Sequence, residues 1–266
     1  MFSFLDYDFM QRALLGGFGV AIICPLIGSA LLMRKSVMQA DVLSHSALTG
    51  VALGIWLWIT PLYTTLIYTT LSSIMVEYFR HYKRLSTDTV LSLFFSANLA
   101  IAIYLLSLSH GFTSNLHKYL FWSVTLITET DLNLLVSVCI VVLVSVGFLW
   151  RHFWQVLIDE KSAKVAGIRV SQINIVIAIL IGGGITASLT IVWLLLTSTL
   201  LIVPLLIAWQ ISKNFKKTLL IGESVSLSAT LFGIIGSYYW DVPASALITA
   251  VLVITFFIVF IFYRKK

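Results

Sequence analysis

The run Arg34-Lys-Ser-Val-Met-Gln-Ala-Asp-Val-Leu-Ser-His-Ser-Ala-Leu-Thr-Gly-Val-Ala-Leu-Gly54 sets a basic pair, a carboxylate, an imidazole and then an apolar stretch in that order. A positive pair just before an apolar segment is the pattern of a chain entering a membrane from the cytoplasm. Asp41 and His45 stand four residues apart, so a helix puts them on one face, one turn from each other. Ionisable groups at membrane depth are costly, and they pair with each other or line a polar path. Imidazole plus carboxylate also suits a divalent transition metal such as zinc or manganese. The residues alone leave two readings open: contact with a metal ion in transit, or a local Asp–His hydrogen bond that steadies a helix start.

The rest of the chain repeats this apolar character. It has 266 residues, 59% hydrophobic and 11% charged, with mean hydropathy +1.02. Soluble domains carry about a quarter charged residues, so the composition is that of an integral membrane protein. Apolar stretches of about 20 residues recur along the whole length, which implies helices rather than a barrel. No polar segment is long enough to build a soluble domain, so residues 1–266 read as one transmembrane domain. Cys24 and Cys139 fall in apolar stretches and read as packed, inert residues without a disulfide. The acidic Asp6 and Asp8 precede the first apolar run, so a cleavable signal peptide is not expected.

The basic residues set the topology. They cluster at Arg34-Lys35, Arg80 to Arg84, Arg151 to Arg169, Lys213 to Lys217 and Arg264 to Lys266. The net charge of +6 therefore reflects cytoplasmic loops and does not suggest nucleic-acid binding. With every cluster inside, each interval holds one hairpin. The expected spans are 13–33, 40–59, 61–79, 88–108, 131–150, 173–191, 193–210, 218–238 and 245–263. Nine spans put the N-terminus outside and the C-terminus in the cytoplasm, with Arg12 and Lys118 left outside. Eight is the alternative, because 173–210 is tight for two spans. Residues 1–12 also read as an interfacial helix, and 111–128 as a segment dipping in from outside. The fold expected is an all-α polytopic bundle of about eight or nine spans.

Catalytic signatures are missing. There is no GxxxxGK[ST] phosphate loop, no HExxH and no Gly-x-Ser-x-Gly elbow. Few charges lie inside the spans, which argues against an extended proton relay. A pathway through the membrane is the better class than an enzyme.

The longest inner loop, about residues 151–170, reads Arg151-His-Phe-Trp-Gln-Val-Leu-Ile-Asp-Glu-Lys-Ser-Ala-Lys-Val-Ala-Gly-Ile-Arg169. Asp159 and Glu160 suit the first turn of a helix, and Gly167 can end it in the left-handed conformation. Ala163, Ala166 and Gly167 leave a bare face for a docking protein, although an ordinary capped loop helix fits equally well. Elsewhere, Gly50 and Gly54 form a GxxxG, which suits close helix packing or, more sharply, gating. Ser44 reads as facing its own helix. Glu223 is expected to pair with Lys216 or Lys217, and Glu77 with His81 to form a solvated helix end. His110, His117 and His152 read as surface residues.

Taken in order, the Leu32–Gly54 block, the Asp159-Glu-x-x-Ala-x-x-x-Gly-Ile168 run, Leu201-Ile-Val-Pro204 and Gly236-Ser-Tyr-Tyr-Trp-Asp-Val-Pro-Ala-Ser-Ala246 resemble the permease subunit of zinc/manganese/iron ABC importers. The likeness spans essentially the whole chain and leans to the zinc members. Thr49 stands where a proline is common, and Leu205-Leu206 replace small residues. The resemblance implies a homodimer in the cell membrane, a cytoplasmic ATP-binding subunit and an external metal-binding receptor. It implies transported zinc, or manganese or iron, no cofactor held by this chain, and ATP used by the partner. It makes Asp41 and His45 transient metal ligands, Glu160, Ala163 and Gly167 the coupling segment, and Asp241 a weaker candidate to receive the ion. Asp241 equally suits a cap before Pro243. The rival from another class is an ion-gradient-driven secondary transporter, which would more often show repeated halves. A metalloenzyme built on Asp41 and His45 would need more ligands and a base.

Overall fold

The computed structural model describes residues 8–82, 86–108, 129–189, 194–240 and 242–263. The expectations for residues 1–7, the 111–128 segment, His110, His117, Asp241 and the side chain of His81 lie outside the described residues. The described residues form eleven helices and no strand. They are α1 (Asp8–Met33), α2 (Met38–Leu57), α3 (Pro61–Tyr82), α4 (Thr87–Leu108), α5 (Glu129–Phe148), α6 (Trp150–Ile158), α7 (Glu160–Val165), α8 (Val170–Leu189), α9 (Leu194–Ile211), α10 (Phe215–Trp240) and α11 (Ala244–Tyr263).

The nine expected spans coincide with the nine long helices, including both members of the tight 173–210 pair. Seven of the nine are long and apolar enough to cross a membrane. The exceptions are α3 and α9. Thr64, Thr65, Thr69, Thr70, Ser72 and Ser73 dilute the apolar character of α3, and the apolar part of α9 runs only from Leu196 to Ile211. Large apolar side chains such as Phe18, Ile101, Tyr104, Val144, Phe232 and Phe262 are exposed. Lipid tails are as apolar as these side chains, so that surface is not penalised.

Two of the short turns use the same device. Lys35 and Trp58 adopt left-handed conformations, with φ 55 and 58. Ser36 N–H then bonds Leu31 O, and Ile59 N–H bonds Gly54 O. This Schellman closure satisfies the last carbonyls of α1 and α2 and turns the chain sharply.

The chain divides into two compact units. The first comprises Met1–Ser29, Lys118–Val136 and Ser188–Lys266. Within it α9, α10 and α11 pack on one another, and Met10 and Ala13 of α1 sit against Ile234 and Ala244. Gly28 meets the backbone of Leu201 so closely that a Cβ would overlap it. Leu205, one of the bulky departures, fills the space beside Gly222. Arg12 donates to Glu129 at 2.9 Å across the starts of α1 and α5.

The second unit comprises Ala30–His117 and Ser137–Ala187. Here α2 packs on both α3 and α4. Val42, Val76, Val90 and Leu91 form one cluster with Phe79, Phe94 and Phe95, and Ala52, Leu105 and Leu106 form another. This unit carries both the Asp41/His45 segment and the 151–170 loop.

Candidate functional site

Helix α2 buries just over half of its residues, and the buried side is mixed, with Gln39, Ser44, Ser46 and Thr49 buried beside Ala40, Val42, Leu43, Ala47 and Ala52. Ser44, Ser46 and Thr49 are 1%, 0% and 0% exposed. On the same helix Asp41 is exposed and His45 is half-buried. Asp41 lies in the first turn, where the helix dipole favours a carboxylate. It is near enough to act electrostatically on the imidazole one turn later. The His45 ring packs edge-on against Phe95 of α4 with centroids 4.6 Å apart. Its Nδ1 is buried without a hydrogen-bond partner, as is Ser44 Oγ. Buried polar atoms are normally satisfied, and His45 Nδ1 and Ser44 Oγ are two exceptions, on neighbouring residues of α2.

The next turn of α2 is tied down firmly. Thr49 Oγ1 donates to Asn98 O at 2.8 Å, Tyr68 OH donates to Asn98 Oδ1 at 2.9 Å, and Asn98 Nδ2 donates to Phe94 O at 2.7 Å. Three helices are thereby joined by hydrogen bonds just beyond His45. The hydroxyl at position 49, where a proline is common in the family the sequence resembles, has a defined partner. Asn98 and Tyr68 had no local signal in the sequence, because their pairing is purely long-range.

Gly50 and Gly54 serve packing inside the chain. A Cβ on Gly50 would lie 2.5 Å from Thr65 Cα, and one on Gly54 would lie 2.7 Å from Pro61 Cα. Both glycines let α2 lie directly on α3, the small-residue packing expected in lipid.

The 151–170 loop folds as two short helices. Phe153, Trp154, Val156 and Leu157 of α6 are buried. Asp159 caps α7, accepting from Lys161 N–H and Ser162 Oγ. These bonds hold its carboxyl below the usual range, the Ser162 hydroxyl contributing most. Gly167 closes the helix in the left-handed conformation at φ 81, as its position suggested. One expectation is corrected here. Ala163 does not offer a bare face to a partner: it is 3% exposed and packs into its own chain. Ala166 and Gly167 are exposed, and so are Val165 and Ile158, 90% and 68%, with Lys161 and Lys164 beside them.

Two acidic residues also depart from expectation. Glu77 is not a solvated helix end. It is 5% exposed and pairs with Arg34 at 3.0 Å and Arg80 at 2.8 Å. Arg80 lies three residues on along α3, whereas the partner from the α1–α2 turn is distant in the chain. Burial lowers the Arg34 pKa to about 10 against the opposing pull of Glu77, which leaves it charged at neutral pH. Glu223, half-buried on α10, forms no ion pair with Lys216 or Lys217. Lys216 lies two turns away, and Lys217 points to another face. His152 is exposed, as expected; Ser44 is buried, but its hydroxyl makes no bond to its own helix.

Among the described residues no three His, Cys, Asp or Glu side chains converge as a metal cage. What remains is Asp41 and His45 one turn apart on α2, one of the helices long and apolar enough to cross a membrane; the chain is an integral membrane protein. Residues 6–263 match the ABC 3 transport family. The chain belongs to that family and is a multi-pass, non-catalytic membrane permease.

The chain is 29% identical over 255 residues to a probable metal transport system membrane protein of Treponema pallidum, covering 96% of each. It is 24% identical over 262 residues to the manganese transport system membrane protein MntC of Listeria monocytogenes, covering 98% of this chain and 93% of the other. It is 27% identical over 238 residues to the high-affinity zinc uptake system membrane protein ZnuB of Haemophilus influenzae, covering 90% and 91%. The fold is that of PsaBC from Streptococcus pneumoniae, solved in complex with Fab, with TM-score 0.84 at 22% identity over 97% of this chain and 94% of that one.

Proposed function

We propose that this permease belongs to an ATP-driven importer for divalent transition-metal ions, with zinc the first expectation and manganese or iron the alternatives. The observation that carries the reading is the Asp41–His45 pair on one face of α2 in a chain of the ABC 3 transport family. Two protein donors are fewer than the four of a closed structural zinc site. A transporter needs that weakness, since the ion must leave again. A second copy of the chain would bring its own Asp–His pair and complete a shared site.

The imidazole favours zinc over manganese, which prefers oxygen ligands; relatives named for zinc and for manganese both exist. An external metal-binding receptor delivers the ion, and Asp241 is the weaker candidate to receive it. A separate cytoplasmic subunit binds and hydrolyses ATP, in keeping with the missing phosphate loop. The exposed Val165 and Ile158 around α7 give that subunit an apolar foothold beside Lys161 and Lys164. ATP-driven movement of this segment rocks the helices, so that Asp41 and His45 face alternate sides.

The test is uptake of zinc and of manganese by vesicles holding the permease with its ATPase subunit. Accumulation that requires ATP supports the importer. Accumulation driven by an ion gradient without ATP would replace it with a secondary transporter.

A further inference from the structure

Five side chains from four segments of the second unit close into a ring, and the metal pair does not account for them. Arg34, in the turn between α1 and α2, donates from Nη1 to Glu77 Oε2 at 3.0 Å and from Nη2 to Asn174 Oδ1 at 2.6 Å. Arg80 Nη2 donates to Glu77 Oε1 at 2.8 Å and to Glu160 Oε1 at 3.1 Å. Asn174 Nδ2 completes the ring by donating to Glu160 Oε1 at 3.2 Å. Charges alternate around it, with the neutral amide of Asn174 joining Glu160 back to Arg34.

Burial is graded along the ring. The Arg34 and Glu77 side chains are 3% and 7% exposed, whereas Arg80 and Glu160 are 20% and 38% exposed. Desolvation cancels most of the Coulombic gain of a buried ion pair, and apolar residues of similar volume often stabilise as well or better. Stability alone is therefore a poor reason for this ring. Its connectivity suggests another. One end is Glu160, the first residue of α7. The other is Arg34, in the turn that leads into α2 and Asp41. Each member bonds two neighbours, so the ring holds both segments in one register or releases them; it does not stretch smoothly.

We propose that this ring is the mechanical link by which displacement of α7 repositions the start of α2 and so the Asp41–His45 pair. The inference rests on the importer reading. Arg34, Glu77, Arg80 and Asn174 are then positioning residues that touch neither metal nor ATPase.

The test uses the complete transporter in proteoliposomes, with zinc and manganese chlorides as probes and metal moved per ATP hydrolysed as the readout. Asn174→Ala opens the ring between Arg34 and Glu160. Arg34→Lys keeps the charge, but a single ammonium does not reproduce the two-pronged contact to Glu77 and Asn174. Both variants are expected to bind the ATPase and hydrolyse ATP within about twofold of the parent, while metal moved per ATP falls about tenfold, within the range for mutations along coupling networks. An unchanged ratio overturns the link. So do parallel losses of hydrolysis and uptake, or failure to bind the ATPase, because those mark a structural staple. Arg34→Lys decides the matter if Asn174→Ala yields no folded permease in the membrane. A parent transporter that shows no ATP-dependent uptake fails the importer reading itself, and the link with it.

Discussion

Asp41 and His45 differ from each other in what surrounds them, and that difference shapes their roles. Asp41 is exposed at a helix start, so replacing it changes charge without opening a hole. His45 packs on Phe95 and holds an unpartnered Nδ1. Each alanine variant is expected to assemble normally yet lose about tenfold or more in metal uptake, the loss that about 1.4 kcal/mol of ion contact implies. Glu77 behaves oppositely. Glu77→Ala strands Arg34 and Arg80 without their shared carboxylate, and breaking a buried pair this way costs about 3–5 kcal/mol. Thermal unfolding in detergent should show a clear drop, and an unchanged midpoint would mean that water already solvates the pair. Sequence spacing revealed the Asp41–His45 pair because its geometry is local. Glu77 was misread because its deciding partner, Arg34, lies 43 residues away.

At the scale of elements, the hydropathy pattern and basic clusters recovered every long helix among the described residues. Boundaries moved by a few residues in both directions: α1 and α10 start before their apolar cores, whereas α2, α5 and α8 stop two residues short of the expected ends. Hydropathy says less about α3, whose hydroxyls face protein: Thr65, Thr69 and Ser73 are buried. The α2–α3 contact depends on absent side chains. Gly50→Val would drive a branched Cβ into Thr65 Cα and is expected to abolish folded protein on size-exclusion chromatography. Thr49→Val keeps the shape and removes one interhelical bond, so a loss of about 0.6 kcal/mol is expected from the average for such bonds in membranes. In the 151–170 loop, the cap and the terminating glycine were legible, because capping is a local rule. The direction of Ala163 was not, because it depends on what the segment packs against. The Asp159 cap also gives a pH prediction. Its carboxyl sits below the usual range when folded, so the cap is fully present above the unfolded value of about 3.9. It is lost as pH falls through the lower folded value. Hydrogen exchange at the amides of residues 161–165 should therefore stay slow at pH 5 to 7, and Asp159→Ala should speed it there.

For the whole molecule, composition alone excluded a soluble enzyme, and the family match assigns a transport permease. Residues from three of the five basic segments, Arg34, Arg80 and the 151–169 loop, are joined through Glu77 and Glu160 at one end of the second unit. That is the clustering which the positive-inside pattern anticipated. What the chain does not encode locally is its cargo, since an imidazole–carboxylate pair accepts several divalent metals. The most direct measurement is the zinc, manganese and iron content of metal-limited cells carrying this permease, compared with Asp41→Ala and His45→Ala at matched expression. Both variants are expected to lose accumulation of the same metal, zinc first. Unchanged content of every metal in both variants would contradict this expectation and leave Asp41 and His45 as a structural pair.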